Sequence, residues 1–204
     1  MSQSPDLASV KKLVRAHQVA VRRRAFEQGA SAAAGAVAAL APVLAERMQL
    51  AAGAVVAAYW PMGDEIDPRP LMAVLAARGC RLALPVVAMR GTPLQFRAYA
   101  EGDVLEPGLH GTVHPAAHAP AVVPALLLVP LLAFDRQCYR LGYGGGYYDR
   151  TLEVLRNNAQ VKAVGLAFAA QEVTAVPRDG HDQRLDAIAT ENGLITPQPE
   201  TGIT

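Results

Sequence analysis

Ala54 to Trp60 is an unbroken apolar run set between Gly53 and Pro61, with none of the alternation that a half-exposed strand shows. Such a run belongs to a strand buried on both faces, and that requires helices above and below the sheet. Leu126 to Val129 is a second stretch of the same kind, and Arg81–Val87, Lys162–Phe168 and Asp186–Thr190 read as further strands. Pro93 to Tyr99 differs: Leu94, Phe96 and Ala98 alternate with Gln95, Arg97 and Tyr99, the pattern of a strand wet on one side.

Helical signals fall between the strands. Ser4-Pro5-Asp6 supplies an N-cap, a first-turn proline and an acidic residue, after which Leu7, Val10, Val14 and Val21 recur near the helical period. That helix is expected to end near Gly29. Ser31 then caps a second helix carrying Val37, Leu40, Leu44 and Met48, and Asp67-Pro68 opens a third, with Leu71, Met72 and Leu75, stopped by Gly79. A fourth runs from about Gly146 to Asn157 with Tyr148, Leu152 and Leu155 on one face, while Glu101 to Pro124 reads as a long loop. The alternation predicts an α/β fold, a Rossmann-like three-layer α/β/α sandwich with a mostly parallel sheet, as one domain over residues 1–204. Ligands of such sheets sit beyond the carboxyl ends of strands, so the loops after Trp60, Val129 and Phe168 are the places to expect chemistry.

Composition narrows the partners. Nineteen Lys and Arg against eighteen Asp and Glu leave a net charge of +1, too little for a nucleic-acid coat. Two cysteines, Cys80 and Cys138, form no disulfide framework and read as reduced thiols in a reducing compartment. The uncharged stretch Ala116–Phe134 contains Pro120, Pro124 and Pro130 and cannot run as one spanning helix. Arg23-Arg24-Ala25-Phe26 looks like the start of a twin-arginine export signal, but Glu27 and Gln28 stand where such signals are apolar. The expectation is a cytoplasmic protein, a monomer or weak homodimer, that acts on small molecules and meets neither membrane nor nucleic acid. His110, His114 and His118 are spaced every four residues, but Pro115 interrupts any helix that would aim them at a metal.

The segment with most chemistry is Arg140–Arg150, RLGYGGGYYDR. Gly142, Gly144, Gly145 and Gly146 free the backbone to point several N–H groups at one spot, and the helix that follows adds its positive end. The result is an anion cradle, with Arg140 as a planar cationic fork at its rim. Asp149 places a carboxylate beside presumed phosphates, an arrangement that suits an intervening Mg²⁺. The loop fits neither the Walker pattern nor the dinucleotide fingerprint, whose last glycine would fall at Tyr147.

On these residues the chain resembles the 5-formyltetrahydrofolate cyclo-ligase family, also called 5,10-methenyltetrahydrofolate synthetase. The resemblance runs in order through Lys11 and Arg15, YWPMGDEID from Tyr59, LALPVV, Leu94-Gln95-Phe96-Arg97, LLLVPLLAFDRQCYRLGYGGGYYDR, VGLAFAAQ, His181-Asp182 and Leu185-Asp186. It implies an enzyme that uses MgATP to turn 5-formyltetrahydrofolate into 5,10-methenyltetrahydrofolate, releasing ADP and phosphate. Lys11 and Arg15 are similar to the family's ATP-contacting basic pair, and Arg140, Leu141, Gly142, Tyr143, Gly144, Gly145, Gly146, Tyr147 and Tyr148 to its nucleotide loop. Asp149 and Asp182 match the magnesium carboxylates. Trp60 and Glu65 fall where the family holds the folate, with Tyr143 and Tyr147 at the junction of the two ligands and Arg140 and Tyr147 as the catalytic pair. Two positions depart from the pattern: Cys138 stands where a glycine is usual, leaving a stiffer loop entrance or a stray exposed thiol, and His114 where a glutamate commonly precedes the proline. Two other classes remain open, a nucleotide- or folate-binding module without turnover and an isomerase or CoA-transferase-like enzyme on a similar sheet.

Overall fold

The computed structural model describes residues 6–197. Eleven strands follow in chain order: β1 (Val55–Ala57), β2 (Arg81–Val86), β3 (Gln95–Tyr99), β4 (Leu105–Pro107), β5 (Val113–Pro115), β6 (Leu126–Pro130), β7 (Ala133–Phe134), β8 (Arg140–Leu141), β9 (Lys162–Leu166), β10 (Ala187–Thr190) and β11 (Gly193–Ile195). The helices are α1 (Leu7–Ala39), α2 (Ala41–Arg47), α3 (Arg69–Ala77) and α4 (Tyr147–Asn158). Seven strands make the central sheet in the order β11-β10-β9-β6-β1-β2-β3. The inner five are parallel, while β3 and β11 close the edges antiparallel.

The apolar runs are buried on both faces, as their composition requires. Val56, Leu84, Leu126, Leu128 and Leu166 point to one side, against Val37, Leu44, Leu71 and Leu75 of the first three helices. Val55, Ala57, Leu127, Val129 and Ile188 point to the other, where Leu152 of α4 covers them. This is the expected α/β/α sandwich. Alternation on β3 also holds, with Phe96 buried between exposed or half-buried neighbours.

Several boundaries differ from expectation. The first helix is interrupted where expected, at Gly29 (φ 169°, ψ 44°), but the second runs on within α1 only to Ala39, and a further bend comes at Leu40, ahead of Pro42 in the first turn of α2. The expected cap at Ser4 lies outside the described residues; Asp6 caps α1 by accepting the Ser9 amide at 2.8 Å. No single helix among the described residues is long and apolar enough to cross a membrane. α1 and α2 meet the length and composition test only as a pair bent by 46°, and their Val37, Ala41 and Leu44 are fully buried in the core. The span 101–124 is not irregular: β4 and β5 pair as a hairpin, turning through His110 at φ 58°.

Gly165 shows how tightly the sheet is packed. A Cβ there would meet methyl groups of Leu131, Ile188 and Leu185 at 2.6, 2.7 and 2.9 Å, all three residues being buried. Gly165→Ala is therefore expected to destabilise the fold by about 1–3 kcal/mol, read as a lower urea midpoint at unchanged slope.

Candidate active site

From β1 the chain moves outward to β2 and β3, then returns to place β6 on the opposite side of β1. The switch point between β1 and β6 is where a doubly wound sheet leaves a crevice. A cleft of about 790 Å³ lies there, bordered by Trp60 beyond β1, Pro130 at the end of β6 and the glycine loop. The loop after Phe168, the third expected location, supplies none of the cleft's walls. Instead its Gln171 donates to the carbonyls of Leu131 and Leu132 and braces the segment leaving β6.

The glycine loop is delivered by the hairpin of β7 and β8. Asp135, buried in its turn, accepts the amides of Gln137, Tyr139 and Val176. Cys138 then takes a left-handed φ of 62°, which accounts for the glycine usual at that position. The expectation of a stray exposed thiol is corrected: Cys138 is fully buried, and burial pushes its thiol up to about 12. Arg140 is also inside and not at a rim. It is 7% exposed, lines the cleft floor, and donates to the Gln183 carbonyl and, at 2.8 Å, to Asp149. Burial weakens its hold on the proton and Asp149 opposes that effect. Leu141 turns its side chain away from the cleft, packing with Ala133 and Val176.

Beyond Leu141 the carbonyls and amides of the loop part company. Arg15 Nε donates to the Gly142 carbonyl at 2.8 Å, and Arg150 donates to that of Gly145. None of the five amides from Gly142 to Gly146 donates a hydrogen bond among the described residues. Gly144 takes a left-handed φ of 97°, and a Cβ there would stand 3.3 Å from the Arg15 guanidinium carbon, a tight contact added to the backbone strain. Gly146, at φ 64°, opens α4 with no side-chain cap. The loop thus leaves unpaired amides at an uncapped helix start, while Arg15 and Arg150 occupy carbonyls of the same turn.

Asp149 and Asp182 are brought to the same flank. The Gln183 amide donates to Asp149 Oδ1 at 2.9 Å, seating the residue after Asp182 directly on Asp149. Lys11 does not border the cleft; its ammonium lies 2.6 Å from Asp182 and 2.9 Å from Asp179. Burial works against its charge, and the two carboxylates outweigh it, holding the amine above its ordinary value. Each aspartate uses one oxygen: Asp149 Oδ2 and Asp182 Oδ1 accept no hydrogen bond among the described residues. Asp149 borders the cleft and Asp182 does not; the free oxygen on each is the hard donor that Mg²⁺ takes from one or two carboxylates.

Trp60 and Glu65 converge on the opposite wall, and Tyr143, Tyr147 and Tyr148 face the same cleft. Trp60 is clasped between Arg69, 5.2 Å above its ring, and the edge of Tyr99 at 6.0 Å. Glu65 is 5% exposed; burial raises its carboxyl above the usual range although the Met62 amide donates to it. Burial likewise holds the Tyr148 phenol far above its ordinary value. Tyr147 meets His110 across the cleft at 3.4 Å, so the β4–β5 hairpin, in a span expected to be a loop, furnishes a wall. Arg22 was missed as well. It is 2% exposed, pairs with Asp64, and donates to the Tyr143 hydroxyl, tying the 62–65 turn to the glycine loop.

A doubly wound sheet with a bare-amide glycine loop at its switch point defines an α/β protein whose cleft opens at the carboxyl ends of the strands. More specifically, the chain belongs to the 5-formyltetrahydrofolate cyclo-ligase family, whose model matches residues 8–191. The 5-formyltetrahydrofolate cyclo-ligase of Mycolicibacterium smegmatis is 35% identical over 151 residues, which cover 70% of this chain and 77% of that one. That of Haemophilus influenzae is 32% identical over 135 residues, covering 64% and 72%. The NMR structure of Aquifex aeolicus 5,10-methenyltetrahydrofolate synthetase superposes with a TM-score of 0.69 at 26% identity, covering 97% of this chain and 96% of its own.

Proposed function

We propose that the chain catalyses the ATP-dependent conversion of 5-formyltetrahydrofolate to 5,10-methenyltetrahydrofolate, with ADP and phosphate as the other products. The observation that carries this reading is the run of unpaired amides from Gly142 to Gly146, opening on a cleft whose far wall holds Trp60 and Glu65.

An N-formyl oxygen is a poor leaving group, and phosphorylating it makes phosphate the leaving group when N10 attacks the same carbon. The protein's task is alignment and charge neutralisation. The loop amides grip the polyphosphate, Arg15 holds the Gly142 carbonyl so that they stay free, Lys11 seats Asp182 through its ion pair, and the buried Arg140 fixes positive charge behind the transferred group. Asp149 Oδ2 and Asp182 Oδ1 would hold Mg²⁺, which when bound neutralises phosphate charge. Trp60 offers a flat wall to the pterin, Glu65 accepts from its N–H groups, and Tyr143 and Tyr147 screen the junction from water. These small-molecule substrates, Mg²⁺ use and a cytoplasmic setting form one consistent picture with a near-neutral chain and reduced thiols.

The test is absorbance in the methenyl-folate band. Growth only when protein, 5-formyltetrahydrofolate and MgATP are all present is the expected result. Binding of either ligand without growth of the band would instead make the chain a binding module.

A further inference from the structure

Arg22 has a nitrogen to spare. Its Nε, at 3.1 Å, and its Nη2 both reach Asp64, and Nη2 also meets the Tyr143 hydroxyl. Nη1 is buried and has no hydrogen-bond partner among the described residues. An unmet buried donor is unfavourable, so a native site that keeps one calls for an explanation. Facing it is a second unfilled group. Glu65 Oε2 takes the Met62 amide at 2.9 Å, while Oε1 accepts no hydrogen bond and stands 3.8 Å from Arg22 Nη1, too far to satisfy it. A buried, unpaired donor and a free acceptor oxygen therefore lie 3.8 Å apart on two residues that, with Trp60, border the cleft. Asp64 and Glu65 together answer the Arg22 charge, so Nη1 is left for a neutral hydrogen-bond acceptor.

The ligand edge that completes this pair carries an acceptor next to donors. A 2-amino-4-oxopterin has that edge: the C4 carbonyl adjoins N3–H and the 2-amino group. We propose that Arg22 is a specificity-determining residue, its Nη1 donating to the pterin 4-oxo oxygen while Glu65 Oε1 accepts from N3–H and the 2-amino group. The inference rests on the folate occupying this cleft. It assigns Arg22 the discrimination between a 4-oxo ring and a 4-amino ring, whose own N–H groups would face the guanidinium.

Equilibrium binding without ATP tests it, using 5-formyltetrahydrofolate and its 4-amino-4-deoxy counterpart. The unaltered protein is expected to prefer the 4-oxo compound by about 10- to 100-fold, the range for a hydrogen bond to a charged group. In Arg22→Met that ratio should fall about tenfold, the remainder coming from Glu65, which finds no N3–H on the 4-amino ring. If Arg22→Met does not fold, Arg22→Lys carries the same comparison, since one ammonium can serve Asp64 but leaves no second nitrogen for the ring. A ratio near one in the unaltered protein, or a ratio kept in either folded variant, overturns the assignment. Failure of both folates to bind the unaltered protein while ATP still binds would instead remove the folate from the cleft.

Discussion

Arg140→Met is expected to lower kcat/KM by about a thousandfold, in the range seen when one fixed charge-stabilising group is removed, and to destabilise the fold by about 3 kcal/mol. Both effects come from one arrangement. Arg140 is buried between the Gln183 carbonyl and Asp149, and methionine fills its volume without its donors. Asp149 would then lose its cation, while keeping the Gln183 amide and some contact with water, which places the loss at the lower end for a broken buried pair. Arg140→Lys separates the two effects. A single ammonium can keep Asp149 company but cannot span both acceptors as a planar fork, so stability should recover further than turnover. Urea unfolding and steady-state kinetics read the two quantities. Full activity in the folded fraction of Arg140→Met would make Arg140 purely structural.

This coupling was not visible in the chain, which placed Arg140 at the rim of the cradle. Its burial depends on β7 and β8, two residues each, too short to show any period. The same limit hid β4, β5 and β11, three residues each, whereas the inner strands announced themselves by unbroken apolarity. The glycine loop was legible because four glycines beside a helix start have few other uses. What no local pattern could reveal is that Arg15 and Arg150 hold the carbonyls so that the amides stay bare.

The sequence carries a signal for Arg22. Lys11, Arg15, Gln18 and Arg22 recur at the helical period, so a polar stripe runs along one face of α1, and its last two members are buried. Within Arg22-Arg23-Arg24 the run looks like a solvated basic face, and Arg23 and Arg24 are in fact exposed. Only the position of the 62–65 turn opposite α1 distinguishes Arg22, and that is a tertiary fact. One face of α1 thus sets Lys11 against Asp182, Arg15 against the Gly142 carbonyl and Arg22 against Asp64.

Glu65→Gln is expected to move stability and activity in opposite directions. Burial raises the Glu65 carboxyl above its reference value of 4.5, with Arg22 and the Met62 amide opposing the rise and Asp64 adding to it. The phenols of Tyr59 and Tyr148, which also face it, stay neutral through the working range because burial lifts both. When a carboxyl is raised on folding, the native state holds more protons than the unfolded chain just above the unfolded value. Stability therefore falls as pH rises from about 4.5 through the folded value, and stays lower beyond it. Glutamine does not titrate, so that loss should vanish, and Asp64 remains to pair Arg22. The variant is expected to melt no lower than the unaltered protein at pH 8 (about that of an ordinary assay) and to show a flatter pH dependence of Tm. The pterin, in contrast, loses a charged acceptor: KM for 5-formyltetrahydrofolate should rise by about 10- to 100-fold with KM for ATP nearly unchanged. Parallel losses of Tm and activity would show Glu65 acting through the fold, and an unchanged folate KM would remove it from the binding wall.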